Sequence, residues 1–250
     1  MTPTPKTLYV HDDLRADVTA SHGPDSAAAR AAAALLACVA RDTTRVRILT
    51  LEEQLGALAR GEHSPFAVAV GIARAGERVA RQLHARVGWF PRIERVELTR
   101  EEGADGYTLS TLGRPPLEEQ LRPVAGAASI AVVDDTIFSG LTMMAVLEAL
   151  APGARARARV FCLRAVADSL GNVARICPTS AGFVAAGRLL EDVSFINASG
   201  LVRRGAIRRT GQAPLAFHER PEWMRAWFRE DADEITARCA ALARLLGESP

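Results

Sequence analysis

Two short segments of this 250-residue chain carry residue types that could do chemistry. The first is Ile130-Ala131-Val132-Val133-Asp134-Asp135-Thr136-Ile137-Phe138-Ser139-Gly140-Leu141-Thr142. Its apolar start is the signature of a strand buried on both faces. Two aspartates then fall at the carboxyl end, where the strands of parallel sheets meet their ligands. The chain then reads as a turn through Thr136 to Gly140 into a helix, whose successive N–H groups would cradle an anion. Gly140 lets the backbone approach closely, and Ser139 and Thr142 add hydroxyl donors. The second segment, Val70-Gly71-Ile72-Ala73-Arg74-Ala75-Gly76, follows the apolar run Phe66–Val70 and brings a planar, permanently charged donor in Arg74.

Adjacent carboxylates beside a phosphate cradle would repel the ligand unless they face hydroxyls or a magnesium ion. A ribose 5-phosphate offers both a phosphate and hydroxyls. The run Ile130–Thr142 resembles the phosphoribosyl-pyrophosphate (PRPP) signature of type I phosphoribosyltransferases: four apolar residues, two acids, a small-residue turn with glycine and a closing Thr142. The resemblance implies that Asp134 and Asp135 bind the ribose hydroxyls. It assigns the 5-phosphate to Thr136, Phe138, Ser139, Gly140, Leu141 and Thr142. Ile72, Ala73, Arg74, Ala75 and Gly76 resemble the pyrophosphate loop, which in this family is often strained and sometimes has a cis peptide; the Arg-Ala-Gly ending is like the uracil branch. Asp134, Asp135 and Arg74 are thereby the catalytic candidates. The implied cofactor is Mg2+, held mainly by PRPP, with Asp134 and Asp135 as possible ligands.

Phe138 departs from the pattern. It stands where hypoxanthine-type relatives carry an acid that serves the purine as a base, so a hypoxanthine–guanine activity is not expected and an apolar wall beside the acceptor is. The glycine- and aspartate-rich hood of uracil enzymes is not found; residues 190–220, with Glu191, Asp192, Phe195, Asn197 and Ser199, are the hood candidates. The expected reaction is magnesium-dependent transfer of a phosphoribosyl group from PRPP to a nucleobase or other small acceptor, releasing pyrophosphate. The alternative is a non-catalytic PRPP- or nucleotide-sensing regulator on the same fold. A phosphohydrolase using Asp134 as nucleophile lacks the Asp-x-Asp spacing.

The elements that must position these residues follow from periodicity. Apolar runs predict strands at Leu8–Val10, Val46–Leu51, Phe66–Val70, Ser129–Val133, Val160–Leu163 and Gly182–Ala185, and Arg92–Leu98 alternates like a strand. Helices are expected from Ser26 to about Arg41, Glu52–Arg60, from Glu77 to about Val87, through Met143, Met144, Val146, Leu147 and Leu150, near Ser169–Arg175, and through Trp223, Trp227, Ile235, Cys239, Leu242 and Leu246. Such alternation predicts an α/β fold, a Rossmann-like parallel sheet with helices on both faces plus a variable hood. One domain is expected over residues 1–250, with a β-α elaboration at 1–65, a core at 66–189, and a hood candidate and closing helix at 190–250. Thr99–Pro123 has little apolar pattern and reads as a long mobile excursion, in the position of the family's flexible loop. Arg100, Arg114 and Arg122 are its candidate pyrophosphate contacts.

Composition narrows the class. The 31 basic and 29 acidic residues leave a net charge of +2, too balanced to predict nucleic-acid binding. The local exception is the cluster Arg203, Arg204, Arg208 and Arg209, read as a solvated turn or a polyanion patch. Cys38, Cys162, Cys177 and Cys239 form no C-x-x-C pair, so free thiols in a reducing cytoplasm are expected. No signal peptide or membrane span is read. A homodimer is the expected assembly.

Overall fold

A computed structural model describes residues 4–61, 63–103 and 106–248. The chain runs β1 (Thr7–Asp12), α1 (Leu14–His22), α2 (Ala27–Val39), β2 (Val46–Thr50), α3 (Leu51–Ala59), β3 (Val68–Ile72) and α4 (Ala73–Val87). There follow β4 (Ile93–Val96), β5 (Thr99–Gly103), β6 (Gly106–Ser110), α5 (Leu117–Leu121), β7 (Ile130–Ile137) and α6 (Leu141–Ala149). The last part is α7 (Pro152–Arg155), β8 (Ala158–Val166), α8 (Ala167–Ala174), β9 (Thr179–Ala185), β10 (Val193–Asn197), α9 (Ala198–Val202), α10 (Pro221–Phe228) and α11 (Ala232–Leu245). The expected α/β class with parallel sheets and flanking helices is what the chain adopts.

Contacts divide the chain into two compact units: residues 1–51, 102–106 and 188–250, and residues 52–101 and 107–187. The two ends of the sequence, expected as an elaboration and a hood, thus combine in the first unit. Its sheet has the order β10-β1-β2 with both pairings parallel, placing Tyr9 opposite Phe195 and Arg47. Strand β10 was not expected. Phe195 and Asn197 lie on it, and the Tyr9 and Phe195 rings sit 5.2 Å apart.

Helix α2 begins as expected, with the Ser26 hydroxyl accepting from the Ala29 N–H at 3.0 Å. Ala32, Leu35 and Leu36 pack with Leu8 and Val10 of β1 and with Ile235, Cys239 and Leu242 of α11. The closing stripe is not one helix. Arg229 takes φ 50°, in the left-handed region that a helix interior excludes, and separates α10 from α11. Trp227 nevertheless remains in the same core.

The second unit holds a five-stranded sheet of order β4-β3-β7-β8-β9, every pairing parallel. Val68, Val70, Val132 and Val160 from three neighbouring strands join Val146 and Leu147 of α6 in one core. A second cluster is aromatic, with Trp89 and Phe90 5.6 and 5.8 Å from Phe161. The segment 99–123 is more structured than expected: β5 and β6 pair as a ribbon, and α5 follows. Its low apolar content hid an anchor. Leu121 and Val124 are buried, and the Gln120 side chain accepts from the Glu97 N–H at 2.7 Å and donates to the Pro115 carbonyl at 2.8 Å. Residues 104 and 105 of that segment lie outside the described residues.

In the first unit, the buried Asp13 carboxylate accepts from the Ser199 N–H at 2.8 Å and from the Ser199 hydroxyl, tying the end of β1 to α9. Replacing it with alanine leaves a half-buried N–H without its acceptor. Asp13→Ala should cost about 1–3 kcal/mol, read as a lower urea midpoint with an unchanged m-value.

Candidate functional site

The two chemistry-bearing segments, about sixty residues apart in sequence, arrive on adjacent parallel strands. Strand β3 pairs with β7 in a register that sets Gly71 opposite Val133, one residue before the aspartates. Both strands therefore deliver their carboxyl ends side by side, the position at which open α/β sheets bind ligands.

Two glycines make this approach possible. A Cβ on Gly76 would stand 2.2 Å from the Val133 carbonyl oxygen, so the first turn of α4 lies directly on β7. A Cβ on Gly71 would stand 2.4 Å from the Glu77 nitrogen, so the loop closes on its own helix. The helix begins at Ala73 rather than at Glu77 as expected. The described residues contain no cis peptide; the anticipated strain lies instead at Ala73, whose φ of 48° places a side chain in the left-handed region. Ile72 is buried, Ala75 half-buried, and Arg74 is exposed with no ion pair among the described residues.

Strand β7 is longer than expected. It continues through Asp134, Asp135, Thr136 and Ile137, because Asp134, Thr136 and Ile137 keep pairing with Cys162, Arg164 and Ala165 of β8. Thr136 is thus a strand residue and not part of the turn. The turn proper is Phe138-Ser139-Gly140. Gly140 adopts φ 81°, and α6 opens immediately after it, with the Leu141 N–H 3.4 Å from the Ser139 hydroxyl oxygen. The Ser169 hydroxyl of α8 donates to the Phe138 carbonyl at 2.7 Å and fixes the turn from below. The exposed Ser139, the exposed Leu141 and the half-buried Thr142 border the start of α6, whose first N–H groups carry the positive end of the helix dipole.

The two aspartates are not equivalent. Asp135 is paired with Arg164, whose guanidinium nitrogen lies 3.0 Å from a carboxylate oxygen and whose side chain is 1% exposed. Asp134 accepts from the Asp135 N–H at 2.8 Å, but its pKa is pushed well above the usual carboxylate range. Desolvation is the main cause and the neighbouring Asp135 charge the second, while the charge of Arg100 pulls in the opposite direction. The same surroundings raise the Cys162 thiol, chiefly by burial. Arg164 and Ser169 were not singled out by sequence. A lone arginine in the apolar stretch Val160–Val166 was the available signal for the first; nothing distinguished Ser169.

Of the loop arginines, Arg100 belongs with the site. Its guanidinium carbon is 5.9 Å from the centroids of both the Tyr107 and Phe138 rings. Arg114 and Arg122 are exposed and make no ion pair among the described residues. Phe138 is half-buried, so part of its ring is open to solvent. In the first unit the arginine cluster is partly committed, Arg203 to Asp17 at 2.5 Å and Arg204 to Glu219. The hood candidates Glu191 and Asp192 engage Arg188 and Lys6. All four cysteines are buried free thiols. No described helix is long and apolar enough to cross a membrane.

What this geometry defines is a parallel α/β unit with a tight turn opening a helix, an aspartate pair and a glycine-tethered loop at one strand end. No protein-family model and no curated protein sequence matches the chain. Solved structures do. A purine phosphoribosyltransferase from Pyrococcus horikoshii is 18% identical at a TM-score of 0.38, the match covering 59% of this chain and 89% of that one. An orotate phosphoribosyltransferase from Aeropyrum pernix is 18% identical (TM-score 0.33; 54% and 68% covered). An adenine phosphoribosyltransferase from Thermoanaerobacter pseudethanolicus is 14% identical (TM-score 0.34; 53% and 78% covered). These likenesses are distant, and the functional reading rests on the site itself.

Two outcomes follow. Gly76→Ala forces a methyl against the Val133 carbonyl and should destabilise the protein by about 1–3 kcal/mol or more, measured by chemical unfolding. For Asp134 the folded pKa is raised, so the native state holds this proton more tightly than the unfolded chain. That contribution is complete below about pH 4 and is lost as pH rises through the folded value. Asp134→Asn should therefore gain stability relative to the parent between pH 5 and pH 8, read as a pH-dependent difference in unfolding midpoints.

Proposed function

We propose that the protein transfers a 5-phosphoribosyl group from PRPP to a small acceptor and releases pyrophosphate. The observation that carries this reading is the register of β3 on β7, which sets the Gly71–Gly76 loop beside Asp134 and the Gly140 turn. In this reading the 5-phosphate sits on the Ser139–Thr142 turn and helix start, and the ribose hydroxyls donate to Asp134. Asp135, already held by Arg164, keeps the strand end charged and oriented. The pyrophosphate lies over the first turn of α4, where the N–H groups and Arg74 meet its oxygens.

The reaction breaks the bond from ribose C1 to pyrophosphate oxygen, that oxygen keeping the electron pair, and forms a bond from C1 to the acceptor nucleophile. The acceptor's proton leaves to solvent or to the departing group. The side chains contribute position and charge compensation, which dominate where little covalent chemistry falls to the protein.

A divalent ion fits this site only in one way. Among the described residues no three histidines, cysteines or acids gather as a ligand set, and one Asp135 oxygen is committed to Arg164. Mg2+ characteristically takes one or two carboxylates and completes its shell with phosphate oxygens and water. Asp134 would hold it, with PRPP supplying the other oxygens. When bound it would neutralise charge on the leaving pyrophosphate.

Titration calorimetry with PRPP and MgCl2 tests the donor half. The parent protein should bind; Asp134→Asn should weaken binding about 100-fold, close to 2.7 kcal/mol. Undiminished binding in that variant removes the reading. In an acceptor screen followed by pyrophosphate release, Arg74→Ala should lower turnover about 100-fold or more. A sensor would bind PRPP and release no pyrophosphate with any acceptor.

A further inference from the structure

Among the described residues Arg100 has no ion-pair partner, and it sits in an aromatic setting. It is half-buried on β5, and its guanidinium is equidistant, at 5.9 Å, from the rings of Tyr107 on β6 and Phe138 in the turn. Contacts of that length fall within cation–π range. No ion pair joins it to an acid among the described residues, whereas Arg81 and Arg95 both hold Glu77.

The three residues differ in how firmly they are held. Phe138 is fixed through its carbonyl by Ser169, so its ring is presented by a pinned backbone. Tyr107 is 53% exposed, so much of its ring is open to solvent. Between them is a planar fork of N–H donors, a shape that matches a carboxylate in two parallel hydrogen bonds. Two ring faces and a guanidinium, near the Asp134 that would hold the ribose, describe the complement of a flat, anionic molecule.

Resting on the phosphoribosyl-transfer reading above, we infer that Phe138, Arg100 and Tyr107 are the acceptor-binding face, and that they select a planar aromatic acceptor bearing a carboxylate. The rings stack on the acceptor's faces, the guanidinium pairs with its carboxylate, and the ring nitrogen or another nucleophilic atom of the acceptor is left to meet ribose C1. Arg100 therefore belongs to the acceptor and Arg74 to the pyrophosphate.

The test uses the full chain with saturating PRPP and MgCl2. The probes are pyridine- and pyrimidine-carboxylates, each set against its carboxamide, with binding and pyrophosphate release both measured. The carboxylates should bind at least ten-fold more tightly than the matched carboxamides. Arg100→Ala should erase that difference while leaving PRPP affinity within two-fold of the parent. Arg100→Lys, which keeps the charge and loses the fork, should recover only part of it. Phe138→Leu should weaken carboxylates and carboxamides alike. Unfolding midpoints establish that each variant is folded.

If Arg100→Ala weakens PRPP as much as it weakens the acids, the residue serves the donor and the inference is wrong. Equal binding of carboxylates and carboxamides also overturns it, as does a parent protein that binds PRPP and none of the aromatic acids. Failure of the parent to bind PRPP at all would instead strike the phosphoribosyl-transfer reading.

Discussion

The close approach of Gly76 to the Val133 carbonyl is the constraint on which the site depends. With any side chain at that position α4 would ride higher on the sheet, and its first turn would separate from the aspartates that follow Val133. The register of β3 on β7 brings the strands together; the missing Cβ brings the loop down onto them. A positive φ at Ala73 is the local cost, since the chain must leave β3 and enter a helix without a connecting loop. Chemistry here is positioned by backbone proximity first and by side-chain contacts second.

Much of the second unit was legible because its strands are buried on both faces and read as uninterrupted apolar runs, Phe66–Val70 and Ser129–Val133 among them. Strand ends were less so. Asp134 to Ile137 looked like a turn because acids and threonine suit turns, whereas the backbone ladder to Cys162–Ala165 keeps them extended. The β5–β6 ribbon escaped notice for the opposite reason: Thr-Arg-Glu-Glu-Gly and Gly-Tyr-Thr-Leu-Ser bury too little to show a pattern. The first unit was the least legible. Its sheet joins β1 to β10 across most of the chain, and no local signal announces a pairing between Tyr9 and Phe195.

At the candidate site, sequence reading singled out residues at the strand ends and in the turn and missed those that hold them in place. Asp134, Arg74 and the Gly140 turn carry local signatures. Arg164 and Ser169 act through partners about thirty residues away, and a contact of that range leaves no trace in neighbouring residues. Phe138 was noticed as a departure, but its meaning depends on Arg100 and Tyr107, which only the ribbon brings near.

The buried pair of Arg164 and Asp135 makes two neighbouring, chemically identical residues into different species. One is a counter-ion to a guanidinium that is 1% exposed, and removing it takes a negative charge from beside a buried cation. The other is a carboxyl whose charge the fold resists. Loss of function at position 135 would thus report on the scaffold as much as on any ligand, and only position 134 isolates recognition. A homologue could exchange its Asp134 for another polar residue and keep this architecture, while a change at 135 would have to be answered at 164.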